Sequence, residues 1–166
     1  MEDVYRIDQG IERYMTKTQK KTADFMEGCM ELGGLLGGWS ESEIVELKKY
    51  GHALGMAFQI TDDIMDYRET TETTGKPVGN DLREGLLTYP LLSIVNDDNK
   101  DKLLEDIKAL NNGGDEQAII DYVIDQGGID NTLAVADQYC KDALAALDAV
   151  RDFPGKGFLV MAVENL

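Results

Sequence analysis

The sequence predicts an all-α fold, an antiparallel helical bundle forming a single domain over residues 1–166. Three observations carry that expectation. Helix-forming Ala, Leu, Glu, Lys and Met are plentiful and only 3 prolines interrupt the chain. Apolar residues recur at steps of three and four. No stretch alternates apolar and polar residues long enough to make a persuasive strand. With 166 residues and 43% hydrophobic content, the chain is long and apolar enough to bury one core.

The elements follow in order. Ile11, Met15, Thr18, Thr22, Phe25, Cys29, Leu32 and Leu36 would share one face of a first long helix, weakened at its end by Gly33, Gly34, Gly37 and Gly38. A second helix is announced by Ser40 and Glu43, spaced as a capping box, with Trp39 placed to staple onto Ile44. It runs through Tyr50, Leu54 and Phe58 and should end near Tyr67. A polar loop is expected from Thr70 to Asn80. A third helix is expected from about Asp81 to Val95, with Pro90 inside it as a kink or a break. Shorter helices fit Asp101 to Leu110 and Asp115 to Gln126. Another begins near Asp130 with an apolar stripe through Leu133, Ala136, Cys140 and Leu147, and Pro154 opens the last segment.

Charge narrows the function. The 32 acidic residues against 16 basic ones give a formal net charge of -16, which repels phosphate backbones and anionic headgroups. Nucleic acid and polybasic-type membrane binding are thereby disfavoured. No apolar run approaches membrane-spanning length, and the Met1-Glu2-Asp3 start lacks a basic, apolar signal pattern. Cys29 and Cys140 fit no metal or redox spacing and read as small reduced core residues, which suggests a cytoplasmic protein. The sole histidine, His52, reads as structural.

The chemistry concentrates at Asp62, Asp63 and Asp66. On a helix these carboxylates project from nearly one face, with Gln59 one turn earlier on the same side. Such spacing also describes an ordinary solvated acidic face. The apolar flanks Met56, Ala57, Phe58, Ile60, Ile64 and Met65 favour a lined cavity instead. A hard divalent cation such as Mg²⁺ would offset the like-charge repulsion, since it binds through one or two carboxylates and shares substrate phosphate oxygens. Lys76, among glycines in the following loop, suits a phosphate contact. The spacing excludes an EF-hand, and the run Asn96-Asp97-Asp98-Asn99 lacks the glycine and terminal glutamate of a calcium loop.

The run Gly55-Met56-Ala57-Phe58-Gln59-Ile60-Thr61-Asp62-Asp63-Ile64-Met65-Asp66-Tyr67 closely resembles the second aspartate-rich motif of the trans-prenyl diphosphate synthases. Three matches accompany it in order: Lys21-Thr22 upstream, then Gly75-Lys76-Pro77-Val78-Gly79-Asn80-Asp81-Leu82, then Gly85 with Thr88 and Pro90. The resemblance covers about Tyr14 to Leu92. It implies an isoprenoid synthase-type bundle, seen here in part, and a transferase of isoprenoid biosynthesis. Such enzymes ionise an allylic prenyl diphosphate with Mg²⁺ assistance. The double bond of isopentenyl diphosphate then attacks the allylic carbocation, and a proton is lost.

Carried over by position, Asp62 resembles a direct Mg²⁺ ligand, with Asp63 and Asp66 ligating or ordering metal waters. Lys21 and Lys76 resemble contacts to the allylic diphosphate. Thr22 and Gln59 resemble polar groups beside the reacting carbons. Phe25, Met26, Cys29 and Met56 are placed either to line a product tunnel or simply to pack in a core.

Two departures accompany the resemblance. Leu86 stands where related enzymes often carry a lysine. The first aspartate-rich motif and the basic residues that grip isopentenyl diphosphate find no counterpart, in a family whose chains are about twice this long. The 166 residues are therefore expected to be inactive alone and to associate as a homodimer or with a missing amino-terminal half. A noncatalytic helical partner of a complete synthase is the alternative from another class. A terpene cyclase would share the diphosphate chemistry, but the ordered GKPVGND segment fits chain elongation better.

Overall fold

The computed structural model describes Ile7, residues 10–68 and residues 79–166. Among the described residues every regular element is a helix and none is a strand. The elements are α1 (Gly10–Thr18), a π-helical turn (Gln19–Ala23), α2 (Asp24–Leu36), α3 (Glu41–Arg68), α4 (Asn80–Arg83), α5 (Tyr89–Leu92), α6 (Lys100–Ala109), a 3₁₀ turn (Leu110–Asn112), α7 (Glu116–Asp125), α8 (Gly128–Asp148) and α9 (Lys156–Glu164). They fall into two compact units, one of Met1–Tyr14 with Asp62–Leu133, the other of Met15–Thr61 with Ala134–Leu166.

The expected first helix is continuous from Gly10 to Leu36, but its buried stripe differs from the one its apolar residues describe. Tyr14, Thr18, Ala23 and Gly34 are buried, whereas Phe25, Leu32 and Leu36 are 73%, 56% and 81% exposed. The step from Thr18 to Ala23 is five residues and crosses the π turn. A π turn adds one residue to the register, so a face counted at 3.6 residues per turn rotates away from the core beyond it. Cys29 is consequently exposed, against the core position expected for it, and Cys140 is partly buried.

In the second unit, Tyr50 and Ala53 of α3 pack with Ala143, Ala146 and Leu147 of α8 and Val163 of α9. Burying Leu147 alone stabilises by about 2 kcal/mol. Tyr50 donates its hydroxyl to the Leu159 carbonyl at 2.9 Å, so a polar atom inside this core is satisfied. Gly55 lies against the Ala23 backbone, where any Cβ would come within 2.7 Å of the Ala23 Cα. Only glycine lets α3 approach the π turn this closely.

α3 starts as its capping box requires. The Ser40 amide donates to Glu43 Oε2 at 3.2 Å, and the Glu43 amide reaches Ser40 Oγ at 3.4 Å. Trp39 meets Phe153 edge-on at 4.9 Å between centroids and carries the Arg151 guanidinium on its face.

In the first unit, the single helix expected from Asp81 to Val95 is two separate turns, α4 and α5. The break comes before Pro90, at Gly85. Leu86 N donates to Asp81 O at 2.8 Å and Gly85 N to Leu82 O at 3.0 Å, the paired bonds of a Schellman ending. Gly85 holds the positive φ of 73° which that ending needs. Leu86 is the half-buried residue after it, a place where an apolar side chain commonly packs. Pro90 occupies the first turn of α5, where its missing N–H costs nothing.

The remaining helices lie within two residues of their expected bounds. Asn96 and Asn99 fold their run into a turn, the Asn96 amide donating to Asn99 Oδ1 at 2.8 Å and Asn99 Nδ2 donating to Ile94 O at 2.9 Å.

Candidate active site

The end of α3 carries the aspartates into the first unit, and packing makes the three unequal. Asp62 is exposed, while Asp63 and Asp66 are half-buried. Asp63 Oδ2 accepts the Tyr14 hydroxyl at 2.5 Å and the Tyr89 amide at 3.2 Å. The two tyrosine rings meet edge to face at 5.6 Å. Burial pushes the Asp63 carboxyl up to about 7, opposed by the Tyr14 and Tyr89 hydrogen bonds and reinforced by the charges of Asp81 and Asp62.

Asp66 is the anchor of the next segment. Its Oδ1 accepts the Asn80 amide at 3.1 Å, its Oδ2 the Asp81 amide at 3.2 Å, and its carbonyl the Gly79 amide at 3.0 Å. Burial raises its pKa, while those two side-chain bonds and the Arg83 charge hold it down. Asp81 therefore joins the cluster as a fourth carboxylate, and its charge reaches Asp63. Tyr67 buries its hydroxyl without a hydrogen-bond partner among the described residues, as does Thr88. The Thr88 hydroxyl tempers the rise in the Tyr67 pKa that burial causes, yet the two do not complete a hydrogen bond.

Lys21, Thr22 and Gln59 belong to the second unit. Lys21 is exposed and Thr22 half-buried, both on the π turn, a distortion often found at functional sites. Gln59 is half-buried on α3, one turn before Asp62 and Asp63. Lys76 lies outside the described residues. Met56 is buried and Met26 half-buried, whereas Phe25 and Cys29 face outward.

Carboxylate oxygens are the donor type that a hard divalent cation takes. Four carboxylates crowd together, two of them with raised pKa values, and a cation would offset that repulsion. Each Asp66 oxygen accepts one backbone amide and keeps a lone pair, so Asp62, Asp63 and Asp66 all retain oxygens that could ligate a cation. Among the described residues, the three carboxylates of Asp62, Asp63 and Asp66 do not converge within 4.8 Å. Asp24, Glu27 and His52 do. There Lys48 already bonds Glu27 at 3.5 Å and Glu31 at 3.0 Å, and His52 lies 3.6 Å from Glu27. His52 thus has an acidic neighbour that sequence spacing did not suggest.

Tyr14, Tyr89 and Arg83 were not expected at this site. Tyr14 lies 49 residues from Asp63 and Tyr89 lies 26 from it, and only the general need of a buried tyrosine for a polar partner hints at such a role.

Comparison with known proteins identifies the family and the fold. The polyprenyl synthetase family model matches residues 1–126. Heptaprenyl diphosphate synthase component 2 of Geobacillus stearothermophilus is 33% identical over 159 residues, covering 96% of this chain and 50% of the relative. The crystal structure of heptaprenyl diphosphate synthase from Staphylococcus aureus superposes with a TM-score of 0.85 at 28% identity, over 98% of this chain and 52% of that one. Polyprenyl synthase from Caulobacter crescentus, complexed with calcium and isoprenyl diphosphate, gives 0.83 at 28% identity, over 98% and 51%. The chain spans about half the length of the curated relatives it matches. On the family match and the ordered motifs together, this chain belongs to the polyprenyl synthetase family.

Proposed function

We propose that this chain carries the aspartate-rich half of a trans-prenyltransferase site. It would bind an allylic prenyl diphosphate for condensation with isopentenyl diphosphate. The observation that carries this reading is the crowded, partly buried group of Asp62, Asp63, Asp66 and Asp81, in a chain of the polyprenyl synthetase family. Asp62 would hold Mg²⁺ directly, with Asp63 and Asp66 ligating or ordering its waters, and Asp66 would also fix the backbone beside them. When bound, the ion supplies positive charge opposite the departing diphosphate. Lys21 and Lys76 would neutralise further diphosphate charge, and Thr22 and Gln59 would lie beside the reacting carbons. The calcium and isoprenyl diphosphate of the Caulobacter relative are in keeping with this pairing of cation and ligand.

The 166 residues by themselves are inactive in this reading, because the opposing carboxylates and the isopentenyl diphosphate grip are not among them. The exposed row of Phe25, Cys29, Leu32 and Leu36 on α2 is the surface a second copy of this chain would cover. Among the described residues no helix is long and apolar enough to cross a membrane. Free Cys29 and Cys140 suit a cytoplasmic setting.

Titration of Mn²⁺ into the chain with inorganic pyrophosphate, followed by electron paramagnetic resonance, tests the site. Binding is expected, and Asp62→Asn should weaken it by about 100-fold. Equal binding by the variant would refute the assignment of Asp62. Product formed from the two diphosphates by the purified chain would refute its inactivity, and a monomeric mass across concentrations would refute the dimer.

A further inference from the structure

Glu116 is the first residue of α7, but it is not the cap of that helix. The cap is Asp115, whose Oδ1 accepts the Ala118 amide at 3.1 Å. Glu116 turns instead toward α4. Its Oε2 accepts both Arg83 Nε at 3.0 Å and Arg83 Nη2 at 2.5 Å. Its Oε1 is buried without a hydrogen-bond partner among the described residues, an arrangement that costs free energy and persists only where the surroundings impose it.

Gly79 is what the carboxylate packs on. A Cβ there would collide with Glu116 Oε1 and Cδ, and the φ of 77° already favours glycine. Gly79, Asn80 and Asp81 are the residues whose amides grip Asp66, and Arg83 is the cation whose charge reaches Asp66.

We propose that Glu116 is a positioning residue of the acidic site: by holding Arg83 and backing Gly79 it keeps the Asn80 and Asp81 amides on Asp66. This rests on the metal–diphosphate reading above. Glu116 touches neither ion nor substrate, and it acts through Asp66, which sets the last turn of α3 and so the aim of Asp62.

Two readouts on the intact chain test it. In Glu116→Ala, hydrogen exchange at the Asn80 and Asp81 amides should quicken by about tenfold while the Leu147 amide, in the other unit's core, is unchanged. Mn²⁺–pyrophosphate affinity should fall by about tenfold, the scale set by residues that orient metal ligands. Glu116→Gln keeps an acceptor for Arg83 and should recover most of both effects. Gly79→Ala, which displaces the carboxylate from the other side, should reproduce them. Exchange at Asn80 and Asp81 that changes no more than at Leu147 would overturn the proposal, as would faster exchange with unaltered Mn²⁺–pyrophosphate affinity. Failure of the unsubstituted chain to bind Mn²⁺–pyrophosphate would sink the metal reading and the proposal with it. That outcome is told apart from the others because it appears before any substitution.

Discussion

Tyr50 and Tyr67 sit on the same helix, both buried, and their surroundings treat them oppositely. Tyr50 delivers its hydroxyl to the Leu159 carbonyl within a core of alanine, leucine and valine, and burial pushes its phenol up to about 12. Tyr67 buries its hydroxyl with no partner among the described residues, under the charges of Asp66, Asp63 and Asp81. One stretch of α3 satisfies its polar atoms and is built for stability. The other crowds like charges and leaves hydroxyls unpaired, costs that a fold tolerates where binding or chemistry repays them. In the proposed reading, the difference marks the functional end of the helix.

The largest expected effect is on pH dependence. Asp63 titrates near 7 in the folded chain against an ordinary 3.8, so between those values the folded state holds more protons than the unfolded. Stability from this group is complete below about pH 4 and declines by a few kcal/mol as pH rises through about 7. Urea titrations from pH 4 to pH 8 should show this decline in the natural chain and not in Asp63→Asn. A slope that survives the substitution would remove the contrast between the two stretches.

Tyr14→Phe comes next. It withdraws a hydrogen bond to a charged carboxylate and should cost about 2 kcal/mol at pH 8. The cost should shrink toward pH 5, where Asp63 is protonated, and the Asp63 titration, followed by NMR, should move to higher pH. The paired tyrosine variants test the comparison most directly. Tyr50→Phe should cost about 1 kcal/mol of chemical stability, whereas Tyr67→Phe should be neutral or slightly stabilising, since it removes a hydroxyl with no partner. Equal costs would erase the distinction. The smallest effect belongs to the start of the helix: Ser40→Ala removes one half of the capping box and should cost about 0.5 to 1 kcal/mol, read from the thermal midpoint.

Much of α3 was legible in advance because its signals are local. A capping box lies within four residues, and the spacing of Asp62, Asp63 and Asp66 fixes their common face once a helix forms. The first helix misled for an equally physical reason. One π turn at Gln19–Ala23 shifts the register, and nothing in a 3.6-residue count reveals it, so Phe25, Cys29 and Leu32 were expected inward and lie outward. A Schellman ending stops the helix at Gly85, ahead of the kink or break expected at Pro90.

Residue order by itself determined that the chain is helical, where α3 begins, which carboxylates share a face, and which family's motifs it carries. Only the tertiary structure decided how those carboxylates differ. Asp62 stays in solvent, Asp63 is buried under Tyr14 and Tyr89, and Asp66 is bound to the amides of Asn80 and Asp81. Ionisation depends on desolvation and on partners tens of residues away, and these exist only once the helices have packed.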